Sequence, residues 1–565
     1  MFRSVKDTTS LLQGQLLNIY LGNFLDKSSF IEFIRELWRL ANPPKSRVSL
    51  GPLACTPNDL LRVADSFTAP ADPPIDSKTW GDLEMWVVIR RVFANCSPVG
   101  QQVAHALLRC GAEPVLACSP ISLFAQCNAL RETSLDDQSV ALLKLLRESD
   151  ADIGGILFCD DLYRLPEWSK YLFVIPIIAI ISLISLKFSW LALFPFLAAG
   201  IAIFAVQIKL YMPMMVWHSQ QEAILRILEF GAKWQHFAGI DIEPCSLTTR
   251  NQLLVLQKEF RRGVGKIEWL SEYLNVLVLH QYRQFYRQTK LLRDNISTIR
   301  MVYLGVGAAE SSCDLALFTR GGAWCSAAHA HDSRLKFEDL SNPLLDNPIS
   351  VEIVEISSRG LFLTGQNAAG KSTLLRSIGI SCLFALGFGC CFARTARLRH
   401  GLVATSINAV DSVKEGHSLY VAELKRAREL IDISRQHPDS IIIIDELFRG
   451  TNYLESVAAA GATIRAIGNK SFVIAASHNL VLARILGDII QPKCVLRAAS
   501  SIQLQDGVLA ETNGLRLFDD FVADSEVSRH AARLHKALVD ESIESRRLPG
   551  DGSFEFGTHY QTDPA

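Results

Sequence analysis

The dominant hydrophobic pattern in the chain is an apolar run from Tyr171 to Gln207, which contains a single charged residue, Lys187. An α-helix rises about 1.5 Å per residue, so two helices of roughly 17 to 20 residues joined near Lys187 would each approach the thickness of a bilayer's hydrocarbon layer. Because backbone groups in lipid must bond to one another, the run predicts a helical hairpin, kinked at Pro176 and Pro195. Lys187 is expected to reach the far interface from the turn.

Both ends of this hairpin are expected to face the cytoplasm. Lys170 and Lys209 flank the run, in agreement with the preference of basic residues for that side. We therefore predict a multi-pass membrane protein with two helices and its remaining domains in the cytoplasm. The alternative is a buried hairpin in a large soluble core, which the length of the uncharged run disfavours.

Short apolar runs elsewhere are typical of strands buried on both faces of a parallel sheet. They are Leu361–Thr364, Ile441–Ile444 and Phe472–Ala476, and polar or glycine residues follow each of them. Since the carboxyl ends of parallel strands share one edge, those following residues are candidates for a common site.

The first run leads into a phosphate-binding loop pattern. Gly365 and Gly370 bound the loop, and Lys371, Ser372 and Thr373 open an apolar helix. Glycines let backbone N–H groups approach phosphates closely, Lys371 would neutralise the β and γ oxygens, and Ser372 would hold Mg²⁺. These five residues are the part of the predicted ATP-binding set that the loop pattern itself indicates.

The other two runs end in residues suited to hydrolysis. Asp445 would reach the Mg²⁺ shell, and Glu446 would polarise the attacking water. His478, after the third run, can bond to the γ-phosphate or the water. A purely structural His478 is the alternative, which the two neighbouring motifs disfavour.

Composition describes a folded chain without a strong charge bias. Hydrophobic residues make up 49% of the 565 positions, and 57 basic residues face 58 acidic ones, for a net charge of -1. A strongly basic nucleic-acid binder is excluded, so any DNA contact must be local.

The 13 cysteines are scattered, which suits a reducing compartment. Cys325, His329, His331 and Asp332 have no recognised metal-ligand spacing, so a plain loop is favoured there.

One local region is basic. Residues 250–300 hold ten Lys or Arg against four acidic residues, and Arg283, Arg287 and Lys290 fall on one helix face. A solvated face, a surface for anionic lipid and a nucleic-acid contact all stay open.

Four segments together resemble the ATPase domain of the MutS family, over about residues 335–540. They are TGQNAAGKSTLLR from Thr364, DSVKEGHSLYVAEL from Asp411, IIIIDELFRGTN from Ile441 and AASHNL from Ala475. The form Asp-Glu-x-x-x-Gly-Thr-Asn at Asp445–Asn452 is similar to the membrane-associated MutS-like proteins. Asn342 stands where the family has a histidine.

The resemblance implies an ATP- and Mg²⁺-dependent ATPase that acts as a homodimer. Asn367 would touch the γ-phosphate, and Ser418 would complete the partner's site in trans. An ordinary helix N-cap at Ser418 is compatible with that role.

We predict an α/β P-loop NTPase domain of the ABC/MutS type with an all-α core-like domain that carries the hairpin. The expected boundaries are 1–168 (helical, core-like from about 79), 169–210 (hairpin), 211–300 (long core or lever helices), 301–540 (ATPase) and 541–565 (disordered tail).

Two functions follow from this organisation. The family implies binding of mismatched DNA, whereas the anchor and the neutral charge favour an ATP-driven switch that organises membranes or regulates partners. The mismatch-reading Phe-x-Glu of the family has one tempting match, Phe30 to Glu32, but helical spacing with Phe33 and Leu37 assigns Phe30 to an apolar helix face.

Overall fold

The protein is described by a computed structural model. The described residues are 57–67, 75–132, 135, 137–148, 152–158, 171, 173–234, 247–261, 279–329, 335–346, 348–356, 359–366, 368–398, 401–407, 419–498, 501–509, 514–522 and 524–544. The predictions for Phe30, Asn367, Ser418, His331, Asp332 and the tail lie outside them.

The first part of the described chain is helical. Its helices are α1 (Pro57–Asp65), α2 (Ser77–Asp82), α3 (Met85–Val92), α4 (Pro98–Cys110), α5 (Ala112–Leu116), α6 (Pro120–Glu132), α7 (Asp137–Arg147), α8 (Gly154–Phe158), α9 (Val174–Ser185), α10 (Leu193–Lys233), α11 (Leu247–Arg261), α12 (His280–Asp294) and α13 (Ile296–Phe318). A short 3₁₀ turn, Trp190–Ala192, precedes α10.

An eleven-stranded sheet follows, with helices between its strands. The strands are β1 (Cys325–His329), β2 (Leu335–Leu340), β3 (Ser350–Ile356), β4 (Gly360–Thr364), β5 (Cys390–Cys391), β6 (Thr395–Leu398), β7 (Val403–Ser406), β8 (Ile441–Asp445), β9 (Phe472–Ala476), β10 (Gln491–Arg497) and β11 (Ser501–Asp506). The helices are α14 (Lys371–Phe388), α15 (Leu419–Gln436), α16 (Tyr453–Gly468), α17 (Leu480–Ile485), α18 (Gly514–Val522) and α19 (Ser525–Glu544). The spatial order is β5-β1-β6-β2-β3-β11-β10-β4-β9-β8-β7.

The three predicted strands are neighbours in this sheet. β9 pairs in parallel with β4 on one side and with β8 on the other, and β8 pairs in parallel with β7. Every residue of β4 and β9 is buried, as a strand covered on both faces requires. The α/β part of the predicted fold is therefore confirmed.

Helix α4 joins the helical body to the sheet, because glycines on two other helices allow close packing around it. A Cβ at Gly307 of α13 would lie 2.4 Å from Val103, and one at Gly387 of α14 would lie 2.8 Å from the Leu107 carbonyl oxygen. The helical body thus contacts directly the helix that follows the phosphate-binding loop pattern.

The apolar run forms two helices with a turn at Lys187, as predicted, but the first, Val174–Ser185, has 12 residues and is shorter than the roughly 17 to 20 predicted. The prediction of kinks is wrong: Pro176 and Pro195 are each the third residue of α9 and α10, in the first turn, where a missing N–H removes no intrahelical bond.

Three described helices are long and apolar enough to cross a membrane, but they differ in burial. Of the apolar span Trp190–Ile208, 6% is buried, against 83% for Ile296–Phe318 and 78% for Lys371–Phe388. The last two are core helices. The side chains of the hairpin, by contrast, face outward, with Phe188 83% and Trp190 71% exposed.

Helix α10 runs without a break from this exposed hairpin into the core. Its second half buries Ile224, Ile227, Leu228 and Phe230, and it packs there against α11 and α13. The hairpin is therefore attached to the body by a continuous helix.

Residues Cys325 to His329 form a strand, paired with β5 and β6, and the predicted plain loop is wrong for this segment. Among the described residues, no cluster of His, Cys, Asp and Glu is suited to hold a metal ion.

Candidate functional site

The carboxyl ends of β4, β9 and β8 lie at the same level of the sheet. Ala476 of β9 stands opposite both Leu363 and Asp445 in the strand register. The residues after these positions, Gly365, Glu446 and His478 among them, consequently come together at one edge, as the sequence predicted.

The loop after β4 has the backbone geometry that its glycines require. Gly370, which caps α14, has a φ of 99°, and Gly365 has a φ of 152°. A Cβ at Gly365 would lie 2.9 Å from the Val495 carbonyl oxygen, so a larger residue would push the loop away from β10. Ala368 also adopts a positive φ, 61°.

Lys371 is the first residue of α14, and its ammonium folds back over the loop. Nζ donates to the carbonyl oxygens of Gly365 at 2.8 Å and Gln366 at 3.0 Å. Burial lowers the pKa of this lysine below its ordinary value, while the carboxylates of Asp445 and Glu446 oppose that change. A buried cation held on uncharged carbonyls is well placed to receive an anion.

Ser372 faces the carboxylate at the end of β8. Its Oγ donates to Oδ2 of Asp445 at 2.5 Å. A hydroxyl and a carboxylate in contact form the oxygen-rich pair that Mg²⁺ prefers in phosphate-binding sites. The residues therefore fit the predicted ion.

Glu446 begins a tight turn that aims its carboxylate into the same space. Its φ is 53°, and its N–H donates to the Ala476 carbonyl oxygen at 2.9 Å. The carboxylate lies 2.9 Å from Nε of Arg449 and 3.8 Å from Nε2 of His478. Glu446 is thus held between the guanidinium of Arg449 and the imidazole of His478.

These groups line one open cavity of about 360 Å³. Its wall consists of Ala368, Ala369, Gly370, Lys371, Ser372, Thr373, Asp445, Glu446, Arg449, His478 and Arg497. All described residues of the predicted site line this cavity except Gly365, whose backbone packs against Val495 of β10.

The sequence analysis missed two cationic residues of the wall. Arg449 lies inside the recognised carboxylate motif, so its position offered a signal, whereas Arg497 ends β10 with no motif around it. Together with Lys371 they place three cationic side chains around the cavity, which suits a polyphosphate chain.

A family comparison and individual relatives agree with this geometry. Residues 361–510 match the model of MutS domain V, which includes every residue of the cavity wall. The chain is 28% identical over 188 residues to the DNA mismatch repair protein MutS of Granulibacter bethesdensis.

Over this domain the chain is similar to the MutS family. Two other MutS proteins align with it: that of Trichormus variabilis, 24% identical over 258 residues, and that of Caldicellulosiruptor bescii, 30% identical over 128.

The likeness to MutS covers only part of either chain. The alignments include 31%, 42% and 22% of this chain and 20%, 29% and 14% of the Granulibacter, Trichormus and Caldicellulosiruptor MutS proteins, respectively. The chain thus spans less than a third of the length of these relatives.

Proposed function

We propose that the protein is a membrane-anchored, Mg²⁺-dependent ATPase that hydrolyses ATP as a homodimer and couples hydrolysis to movement of its helical body. The observation that carries the proposal is the convergence of Lys371, Ser372, Asp445 and Glu446 on one cavity. The MutS domain V match over residues 361–510 supports it.

Each group has a role in this reaction. The loop N–H groups and Lys371 bind the phosphates, while Ser372 and Asp445 would hold Mg²⁺, which neutralises charge on the phosphate oxygens. Glu446 accepts a proton from water as the water oxygen bonds to the γ-phosphorus and the bond from that phosphorus to the β–γ bridging oxygen breaks. His478 orients the water or the γ-phosphate.

Binding of a fluorescent ATP analogue to the purified protein tests the site. Lys371→Met should weaken binding at least 100-fold, because it removes a buried cation from the phosphates. Lys470→Met, at an exposed lysine, is the matched control and should bind normally. Equal affinity in all three proteins would refute the nucleotide site.

The membrane part of the proposal rests on the exposure of the hairpin. Side chains such as Phe188 and Trp190 would face water in a soluble protein, at a cost of roughly 25 cal/mol per Å² of apolar surface. We place α9 and the first half of α10 across the bilayer, with Lys187 at the far interface and the ATPase domain in the cytoplasm.

Alkaline carbonate extraction of membranes tests this placement. The wild-type protein should stay in the pellet, and a variant with the 171–207 segment replaced by a short Gly-Ser linker should move to the supernatant. Complete extraction of the wild type would exclude an integral anchor.

Two functions are candidates for the process that ATP hydrolysis drives. The names of the relatives point to mismatched DNA, whereas the anchor and the net charge of -1 favour a switch that organises membranes or regulates partner proteins. A gel shift on homoduplex, mismatched and branched DNA separates them: binding near 50 mM salt that weakens steeply with salt supports the first, and its absence supports the second.

A further inference from the structure

A basic helix begins at the base of the apolar hairpin. Tyr282, in the first turn of α12, donates its hydroxyl to the Gln207 carbonyl oxygen at 3.3 Å, one residue before the apolar span ends at Ile208. The guanidinium of Arg283 lies 5.7 Å from the ring centre of Phe173, which directly precedes α9. One turn of α12 therefore contacts both legs of the hairpin where they leave the body.

The length of the second helix of the hairpin indicates where this contact lies relative to the bilayer. The span Trp190–Ile208 has 19 residues, or about 28 Å of helix, close to the ~30 Å of a bilayer's hydrocarbon layer. With Trp190 at the far interface, Gln207 lies at the near one. Helix α9 has only 12 residues, about 18 Å, and the contact of Phe173 with Arg283 places its first residues at this end of the hairpin. Arg283 then lies at the level of the lipid phosphates.

The side chains at this level are of the type that membrane interfaces favour. Tyr171, two residues before Phe173, is 58% exposed, whereas Tyr282 is buried against the hairpin. Tyrosine rings concentrate at the boundary between hydrocarbon and headgroups, and arginine binds phosphate with a planar pair of N–H groups while stacking on an aromatic ring.

Three exposed cations continue along one face of α12; we call Arg283, Arg287 and Lys290 the basic shoulder. Arg287 is paired with Glu259 of α11 at 2.5 Å, so its charge is partly neutralised. Among the described residues, no carboxylate forms an ion pair with Arg283 or Lys290.

The residues of the basic shoulder lie at increasing distances from the hairpin, because α12 runs away from it. Tyr282 contacts Gln207, and farther along Gln288 accepts a hydrogen bond from Trp217 at 2.9 Å, so α12 and α10 advance in the same direction. Lys290 is about 10 Å beyond Arg283, near the limit at which charges interact in physiological salt. Arg283 should therefore contribute most.

We propose that the basic shoulder binds the phosphate headgroups of anionic phospholipids in the leaflet next to the ATPase domain. The inference rests on the proposed insertion of the hairpin. Of the possible ligands of this basic region, lipid is favoured over nucleic acid, because a DNA duplex would have to enter the headgroup layer to reach Arg283.

Spin-labelled lipids test the proposal in vesicles that contain the full-length protein. Lipids in contact with the protein give a motionally restricted spectrum, so the relative affinity of labelled phosphatidylglycerol and phosphatidylcholine is measured directly. We expect the wild type to prefer phosphatidylglycerol about threefold or more, and the preference to disappear in 0.5 M NaCl. Arg283→Gln should remove most of it, and Lys290→Gln less.

Arg293→Gln is the matched control, since it removes the same charge from the same helix about 15 Å beyond Arg283. It should keep the wild-type preference.

A preference unchanged by Arg283→Gln, or lost equally in Arg293→Gln, would overturn the proposal. So would equal affinity of the wild type for both lipids, or a loss of DNA binding in Arg283→Gln without any change in lipid preference. If no restricted lipid is seen at all, the anchoring itself fails, and the headgroup proposal with it.

Discussion

The carboxylate of Glu423 holds the backbone of Arg449. Its two oxygens accept hydrogen bonds from the N–H groups of Arg449 at 3.1 Å and Gly450 at 3.3 Å, and the side chain is buried. A Cβ at Gly450 would lie 2.9 Å from the backbone nitrogen of Tyr420, so the turn and helix α15 fit closely. Glu423 thus fixes the turn that carries Glu446 and Arg449.

Glu423→Gln should slow ATP turnover more than it weakens ATP binding. Glutamine keeps the shape but offers one acceptor oxygen, so one N–H of the turn loses its partner, at roughly 1–3 kcal/mol. We expect kcat to fall about tenfold while KM changes less than twofold, measured as steady-state phosphate release.

Asp432→Asn is the control for this prediction. It removes a carboxylate from the solvent-facing side of the same helix, where its nearest cations are 3.7 and 3.9 Å away, and should leave kcat unchanged. A rise in KM with constant kcat in Glu423→Gln would show that Glu423 serves binding instead.

Glu446→Gln should retain ATP and stop its hydrolysis. Glutamine fills the same position between Arg449 and His478 but cannot accept the proton from water. We expect turnover to fall at least 100-fold, with ATP affinity within a fewfold of the wild type. Light scattering with ATP should show an accumulated dimer, and an unchanged rate would refute Glu446 as the base.

Where a polar residue directly follows a buried strand, the sequence predicted which residues lie together. Asp445, Glu446 and His478 come directly after buried apolar runs, and parallel strands bring such positions to one edge. Glu423 and Arg497 could not be predicted in this way, because their places depend on packing between distant elements. The orientation of Arg449 depends on positive φ angles at Glu446 and Phe448, 53° and 60°, which no local residue preference indicates.

A second long-range contact joins the helical body to the sheet. Asp82 of α2 is buried and accepts hydrogen bonds from the Thr405 hydroxyl at 2.8 Å and the Ile407 N–H at 2.9 Å. From α15, Arg426 donates to the Thr405 carbonyl oxygen and reaches Asp76 at 3.2 Å. These bonds hold the residues immediately before segment 408–418, which contains Ser418.

Asp82→Asn should destabilise the protein by about 1–3 kcal/mol, since Oδ2 accepts both bonds and the change replaces a buried charged acceptor, which also pairs with Lys78 at 3.5 Å, by a neutral one. Thermal unfolding of the purified protein measures the loss. Asp346→Asn is the control: its side chain is 90% exposed and pairs with Arg91 at the surface, where ion pairs contribute little, so its effect should be much smaller. Equal stability of the two variants would show that the Asp82 contacts add nothing.

A buried acid in α13 has a distinct pH signature. Glu310 is fully buried, accepts hydrogen bonds from Ser97 N and Oγ at 2.8 and 2.6 Å, and lies 3.5 Å from Arg147 and beside Asp314. Burial raises the pKa of Glu310 to about 7 from an ordinary value of 4.5, against the opposing effects of Ser97 and Arg147.

The raised pKa predicts that stability falls as pH rises. Between about pH 4.5 and 7 the folded state binds the proton of Glu310 more tightly than the unfolded state does, so unfolding releases it and a higher pH favours unfolding. Glu310→Gln removes this linkage and keeps the contact with Ser97, whose hydroxyl can rotate to meet the amide. We expect the free energy of unfolding of the wild type to fall, relative to the variant, by at least about 1 kcal/mol between pH 5 and 8. Denaturant unfolding at each pH measures the difference, and parallel curves for the two proteins would show that Glu310 does not titrate in this range.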